Sequence, residues 1–401
     1  MDVVDATLAG YMELRGGYQV GVDGVPWGLN ERVRPSLTIE PDDRSSVVVV
    51  PELSFIQGRN STEELVDVLK DSAAGEILES ACTYTPDTPY DQVSDYLSVE
   101  RLYFKYNHPL VDLTIGRQAI NWGSGMAFHP TDVYAELLVA EPWKERSGVN
   151  SIKANVPFGN HSVTGLVALG DDLSEFGEDE PDAEKIPLSG ALKATFNVVQ
   201  TDVSAVGYYR TDGDWFAGGD LRGNLEVGWW VEGGWHGEEE APEVVAGLDY
   251  SFAVLQVLYV AAEYRYDGSG SAPDDYDWES RSAAGSMPYD CAFLPAAPKP
   301  RATLGRHYVD ATVRLSATED LSIGATTLLN AEDGTGLLIP NVGYNIGQHV
   351  AVQASAQIPY GKDGEFKPPS SQLKKEIAGE TIDFSGQIPD ATLSAWVRYS
   401  F

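Results

Sequence analysis

ATLSAWVRYSF, residues 391–401, alternates with a period of two. Leu393, Ala395, Val397, Tyr399 and Phe401 fall on one face; Thr392, Ser394, Arg398 and Ser400 fall on the other, joined by Trp396. In a strand, successive side chains point to opposite faces, so this pattern is a strand with one apolar and one polar side. Residues 349–360 repeat it, with Val350, Val352, Ala354, Ala356, Ile358 and Tyr360 against Ala351, Gln353, Ser355 and Gln357. So do 309–317 and 258–267, whereas helical periodicity is nearly absent.

A soluble sandwich alternates too, with its apolar face inward. Three features turn the apolar face outward, toward lipid. The alternating runs last about 9–14 residues, longer than the usual strand of about 5–6. Their polar faces carry mid-strand charges of both signs, as a hydrated interior would. Aromatic residues gather near strand ends (Tyr106, Trp122, Tyr264, Tyr266, Tyr360 and Tyr399) like an interfacial girdle.

The expected fold is therefore all-β: a single antiparallel transmembrane β-barrel spanning 1–401, with polar interior and lipid-facing exterior. Eighteen strands are expected, at roughly 6–20, 32–40, 46–59, 95–109, 111–123, 148–159, 161–170, 189–201, 202–213, 214–224, 225–238, 243–257, 258–268, 306–317, 321–331, 335–346, 349–361 and 389–401. Sixteen to twenty strands fit the same pattern. The long loops 60–94, 124–147, 171–188, 269–305 and 362–388 all follow odd-numbered strands, as they must if both termini are periplasmic and the loops extracellular.

Composition narrows the function. No apolar stretch approaches the roughly 18 residues of a spanning helix. Lys and Arg number 27 against 61 Asp and Glu, a net charge of −34, which argues against a nucleic-acid partner. That excess is either a solvated surface or a field that attracts cations. The acidic loop 171–184 fits both readings and lacks the calcium-loop pattern. There is no CxxC motif, no histidine cluster and no nucleophile–base constellation, so no cofactor, metal or enzymatic activity is expected. Cys82 and Cys291 both fall in loops placed outside, where a disulfide between them is expected. The opening MDVVDATLAG lacks a charged and an apolar region, so an exported chain is expected here in mature form.

The terminal AWVRYSF resembles the C-terminal signal of bacterial outer-membrane proteins. That resemblance implies an outer-membrane location and gives Phe401 a role in recognition by the barrel-assembly machinery. A second resemblance lies in GRQAINWGSG, 116–125, followed by HPTDVY, 129–134. It is similar to a GRQxxxWGxG…PxD pattern of porin-like outer-membrane proteins, among them barrel subunits of porin–cytochrome conduits. It covers about twenty residues and implies either an open channel or a sheath around a multihaem cytochrome.

The same stretch breaks the alternation. Leu113 and Ile115 share one face while Ile120 and Trp122 have the opposite parity; next door, Leu97 and Val99 give way to Leu102, Phe104 and Tyr106. Paired breaks point to a bulge near Gly116. Such a bulge turns Arg117 and Asn121 inward beside Glu100, Arg101, Tyr103 and Lys105. Loop 124–147 could then enter the lumen as a constriction, contributing Glu136, Glu141, Lys144, Glu145 and Arg146. A plain Arg–Glu bridge in the wall explains the same residues. Alternation places Glu100, Glu226, Glu232, Glu263, Asp267 and Asp310 inward, against Arg101, Lys105, Arg117, Arg265, Arg314 and Arg398. The expected role is passive passage of small polar or cationic solutes.

Overall fold

The computed structural model describes residues 5–22, 27–59, 94–134, 146–169, 188–211, 213–276, 278, 303–377, 380–383 and 388–401. Its strands, in chain order, are β1 (Asp5–Val20), β2 (Trp27–Asp42), β3 (Ser45–Arg59), β4 (Ser94–His108), β5 (Val111–Gln118) and β6 (Val149–Phe158). Next come β7 (His161–Leu169), β8 (Leu188–Val198), β9 (Thr201–Arg210), β10 (Trp215–Asn224), β11 (Gly228–His236) and β12 (Ala241–Phe252). The remainder are β13 (Val257–Asp267), β14 (His307–Ser316), β15 (Leu321–Asn330), β16 (Gly336–Ile346), β17 (Val350–Tyr360), β18 (Lys374–Ile377), β19 (Glu380–Asp383) and β20 (Ala391–Ser400).

Eighteen of these form one antiparallel sheet in which each strand pairs with the next, and β20 joins β17 to β1. The short hairpin β18–β19 lies apart. Closure leaves the sheet without an edge strand, as lipid requires because it offers the backbone no other hydrogen-bond partner. The strand count of eighteen is thus as expected.

Connections after even-numbered strands are turns of two to four residues, while the longer ones follow odd-numbered strands. The tight β8–β9 turn holds Val199 and Gln200 at φ 48° and 62°, the double positive-φ geometry that matches the twist of a two-residue hairpin. Outside, Leu14, Ile152, Leu192, Leu248, Val313, Val342 and Val397 are all exposed apolar side chains. Their chain neighbours Glu13, Ser151, Ala191, Lys193 and Gly247 are buried or half-buried and face inward.

The parity break is real. On β4, Leu97 and Val99 are exposed outward, then Leu102 and Phe104, and the β3–β4 register shifts between Val50 and Pro51. Arg101 pairs with Val50 and Val99 with Pro51, so Glu100 is the extra residue of a bulge. On the next strand Gly116, paired with Tyr103, sits at φ 121°, where a Cβ would lie 2.2 Å from the Leu102 carbonyl oxygen. Only glycine fits so close a backbone approach.

Two expectations need correction. The fifth strand ends at Gln118 instead of running to residue 123. Trp122, read as a girdle aromatic, is 7% exposed and packs inside the barrel. Residue type could not tell an interfacial tryptophan from one carried inward beyond a strand end.

A latched segment inside the lumen

After Gln118 the chain leaves the wall and crosses into the lumen over residues 119–134. Gln118 anchors the exit: its side-chain amide donates to the carbonyls of Thr114 and Ser151 at 3.2 and 3.3 Å. Two apolar contacts then hold the segment. Ile120 and Trp122 pack with Val149, Leu166, Ala168, Ala191, Val206 and Phe216 from the inner faces of β6–β10. Phe128 packs with Trp230, Val245, Ala261, Tyr308 and Leu328 of β11–β15, with the Arg265 guanidinium 4.6 Å above its ring. An apolar inner wall would be out of place in a water-filled barrel; here it is a seat for the segment. Burying each large side chain contributes about 1.5–3 kcal/mol.

Wall carboxylates hold the polar backbone of the segment. Glu232 accepts the N–H groups of Ser124, Gly125 and Thr131 at 2.6, 2.8 and 2.8 Å, and the Thr131 hydroxyl at 2.8 Å. Glu263 accepts the N–H groups of Met126, Ala127 and Phe128 at 2.6, 3.1 and 2.9 Å, plus the Trp230 indole at 2.7 Å. The Ser124 hydroxyl donates to Asp220 at 2.5 Å, and Asp220 pairs with Lys193 at 3.3 Å. Gly123 (φ 90°) makes room, since a Cβ there would lie 2.7 Å from a Glu232 oxygen. Bonds to ionised acceptors are the strong class of hydrogen bond.

The segment also closes on itself. Asp132 accepts the Trp122 N–H at 3.0 Å and pairs with Arg146, whose carbonyl in turn accepts from Arg101. Burial pushes the Asp132 carboxyl up to about 6, with Arg146 opposing the shift.

The expected site residues divide accordingly. On β4, Arg101, Tyr103 and Lys105 alternate with the outward Leu102 and Phe104, and Glu100 occupies the bulge. Arg101 donates to the Glu100 carbonyl at 2.7 Å, and Glu100 accepts from the Ser98 hydroxyl at 2.9 Å. Arg117 lies against Gly148 at the base of the loop, and Arg146 is a brace for Asp132. Asn121 is exposed and takes no part in the latch. Glu136, Glu141, Lys144, Glu145, Cys82, Cys291 and the acidic loop 171–184 lie outside the described residues. Glu226 is no wall residue: it sits in the turn 225–227 at φ 84°.

Outside the arc β6–β15 that seats the segment, β1–β3 and β20 carry a basic cluster. Glu13 is bound by Arg398, Arg32 and Arg15 at 2.6, 2.9 and 3.1 Å, and Glu52 by Arg34 at 3.2 Å. Arg398 and Arg32 also lie over the Tyr11 ring, at 4.3 and 5.5 Å. Among the described residues no group of three or more His, Cys, Asp or Glu could hold a metal ion.

No family model and no curated protein matches the chain. Solved structures do. Pseudomonas aeruginosa OccK5 (OpdH) aligns over 99% of this chain and 98% of its own, at TM-score 0.54 and 9% identity. Escherichia coli Wzi, an outer membrane protein of group 1 capsule assembly described as a carbohydrate-binding β-barrel, aligns over 98% and 84% at 0.52 and 11%. The outer membrane protein OprD of P. aeruginosa aligns over 100% and 94% at 0.50 and 9%. At such identities the likeness establishes the fold.

Proposed function

We propose that this outer-membrane-type barrel is a passive channel for small polar or cationic solutes, narrowed by the segment 119–134. The observation that carries the reading is the latch itself: a loop held to one arc of the wall by Asp220, Glu232 and Glu263 leaves the arc of β1–β3 and β20 to line the passage. Those three carboxylates, Asp220 also paired with Lys193, are buried under the segment, which separates them from the passage. The arginines around Glu13 and Glu52 face it instead. A net charge of −34 gathers cations at the mouth, and the basic wall tempers that preference. Cation selectivity should therefore be modest and weaken as salt rises.

Purified protein in a planar bilayer under a KCl gradient tests this reading. Discrete conductance steps with a small cation-selective reversal potential are expected. Absence of any conductance would reject it. A sheath around a multihaem cytochrome would need a lumen free of the chain's own segments, and haem absorbance in the purified protein would turn the argument that way.

A further inference from the structure

Glu263 and Asp310 stand directly opposite each other on β13 and β14, behind the latched segment. They are 2% and 1% exposed. Paired side chains on one face have Cβ atoms about 4.5–5.5 Å apart. Glu263 is fully engaged as a carboxylate, by three backbone N–H groups and an indole. Among the described residues, neither oxygen of Asp310 has a hydrogen-bond partner.

Among the described residues no cation compensates Asp310. Arg265, next inward on β13, is committed to Glu243, Asp267 and Thr303. On β15, Asp310 pairs with Leu328, and the inward neighbours Thr326 and Asn330 do not ionise. On its own strand the Tyr308 hydroxyl donates to Glu365, Thr312 bonds Thr326, and Arg314 lies two inward positions beyond. The segment's titratable groups, His129, Asp132 and Tyr134, interact with Glu232, Arg146 and Ser189 instead.

Two adjacent dry carboxyl groups do not both ionise readily, and the proton stays on the one without donors. We propose that Asp310 holds a proton as a neutral acid, and that its loss to water at alkaline pH sets a second negative charge against Glu263 and loosens the latch on 126–128. The passage would widen as pH rises. The conductance arm of the test rests on the channel reading; the exchange arm does not.

Hydrogen exchange of the Met126–Phe128 amides in detergent micelles, corrected for the intrinsic pH effect, is the primary measurement. The wild type should exchange at least about tenfold faster at pH 9 than at pH 6. Asp310→Asn should stay slow at both. Glu263→Gln, which removes the charge pair from the other side, should exchange faster at both with no pH step. In bilayers the wild-type conductance should rise over the same interval and that of Asp310→Asn should not. A wild type without the step, or an Asp310→Asn or Glu263→Gln variant that keeps it, overturns the proposal. An exchange step in a protein that carries no current would leave the proposal standing and reject the channel.

Discussion

A single carboxylate oxygen of Glu232 receives both the backbone N–H and the hydroxyl of Thr131, each at 2.8 Å. Its other oxygen takes Ser124 and Gly125, so one side chain ties both ends of an inward turn. Glu232→Ala would strand four buried donors, each bond to a charged acceptor being worth about 1.5–3 kcal/mol and not additive. Since no strand pairing changes, insertion should be normal, while single-channel conductance and open-state noise both increase. Wild-type currents from this variant would remove Glu232 from the latch.

Trp122 and Phe128 dock the segment at two separate seats. Replacing either with Ala should cost about 3–5 kcal/mol of docking, the usual loss for a buried large aromatic. Limited proteolysis of intact protein in micelles should then cut within 119–134, where the wild type resists. Equal resistance in both variants would show that the polar latch suffices alone.

The basic wall should oppose cations. Arg398→Gln removes two hydrogen bonds to Glu13, at 2.6 and 2.9 Å, yet leaves that carboxylate with Arg15 and Arg32. The reversal potential under a KCl gradient should move toward stronger cation preference. A shift toward anions would contradict the placement of this cluster on the passage.

Asp132, in the lumen segment and outside the spanning strands, titrates near pH 6 when docked, against an ordinary value of 3.8. The docked form therefore binds the proton more tightly than the undocked one. Docking gains stability as pH falls from about 6 to 4, and that gain is lost as pH rises through 6. Asp132→Asn should flatten this part of the pH profile of proteolytic protection. A profile that keeps its slope in the variant would assign the titration elsewhere.

Phe401 exchanges two backbone hydrogen bonds with Gly10, both 3.0 Å, at the β1–β20 seam. Deleting it should lower the amount of heat-modifiable, inserted protein in cells and leave the conductance of each surviving channel unchanged. Full insertion of the truncated chain would refute an assembly role.

Much of this architecture was legible because alternation is a local signal. Leu393 to Phe401 need no partner to declare a face, and the switch from Leu97 and Val99 to Leu102 and Phe104 revealed the bulge before any pairing was known. The latch was hidden for the opposite reason. Glu232 and Glu263 look like any inward polar residue, and their partners lie 101 to 137 residues away in sequence. One signal was there to be used: Leu166, Ala168 and Val206 are apolar at positions where the inner face should be polar. The stretch 116–132 now has a physical account, with Gly116 in close backbone approach to Leu102, Gln118 at the exit, Gly123 beneath Glu232 and Asp132 closing the turn. Why Asn121 occupies its exposed position, the structure does not explain.

Those long separations also impose a chronology. Segment 119–134 emerges ahead of every acceptor it needs on β10, β11 and β13, and loop closure over such spans is slow compared with pairing neighbouring strands. Docking therefore requires β10, β11 and β13 to be in place, and a barrel intermediate that lacks them should present a wider bore than the finished protein.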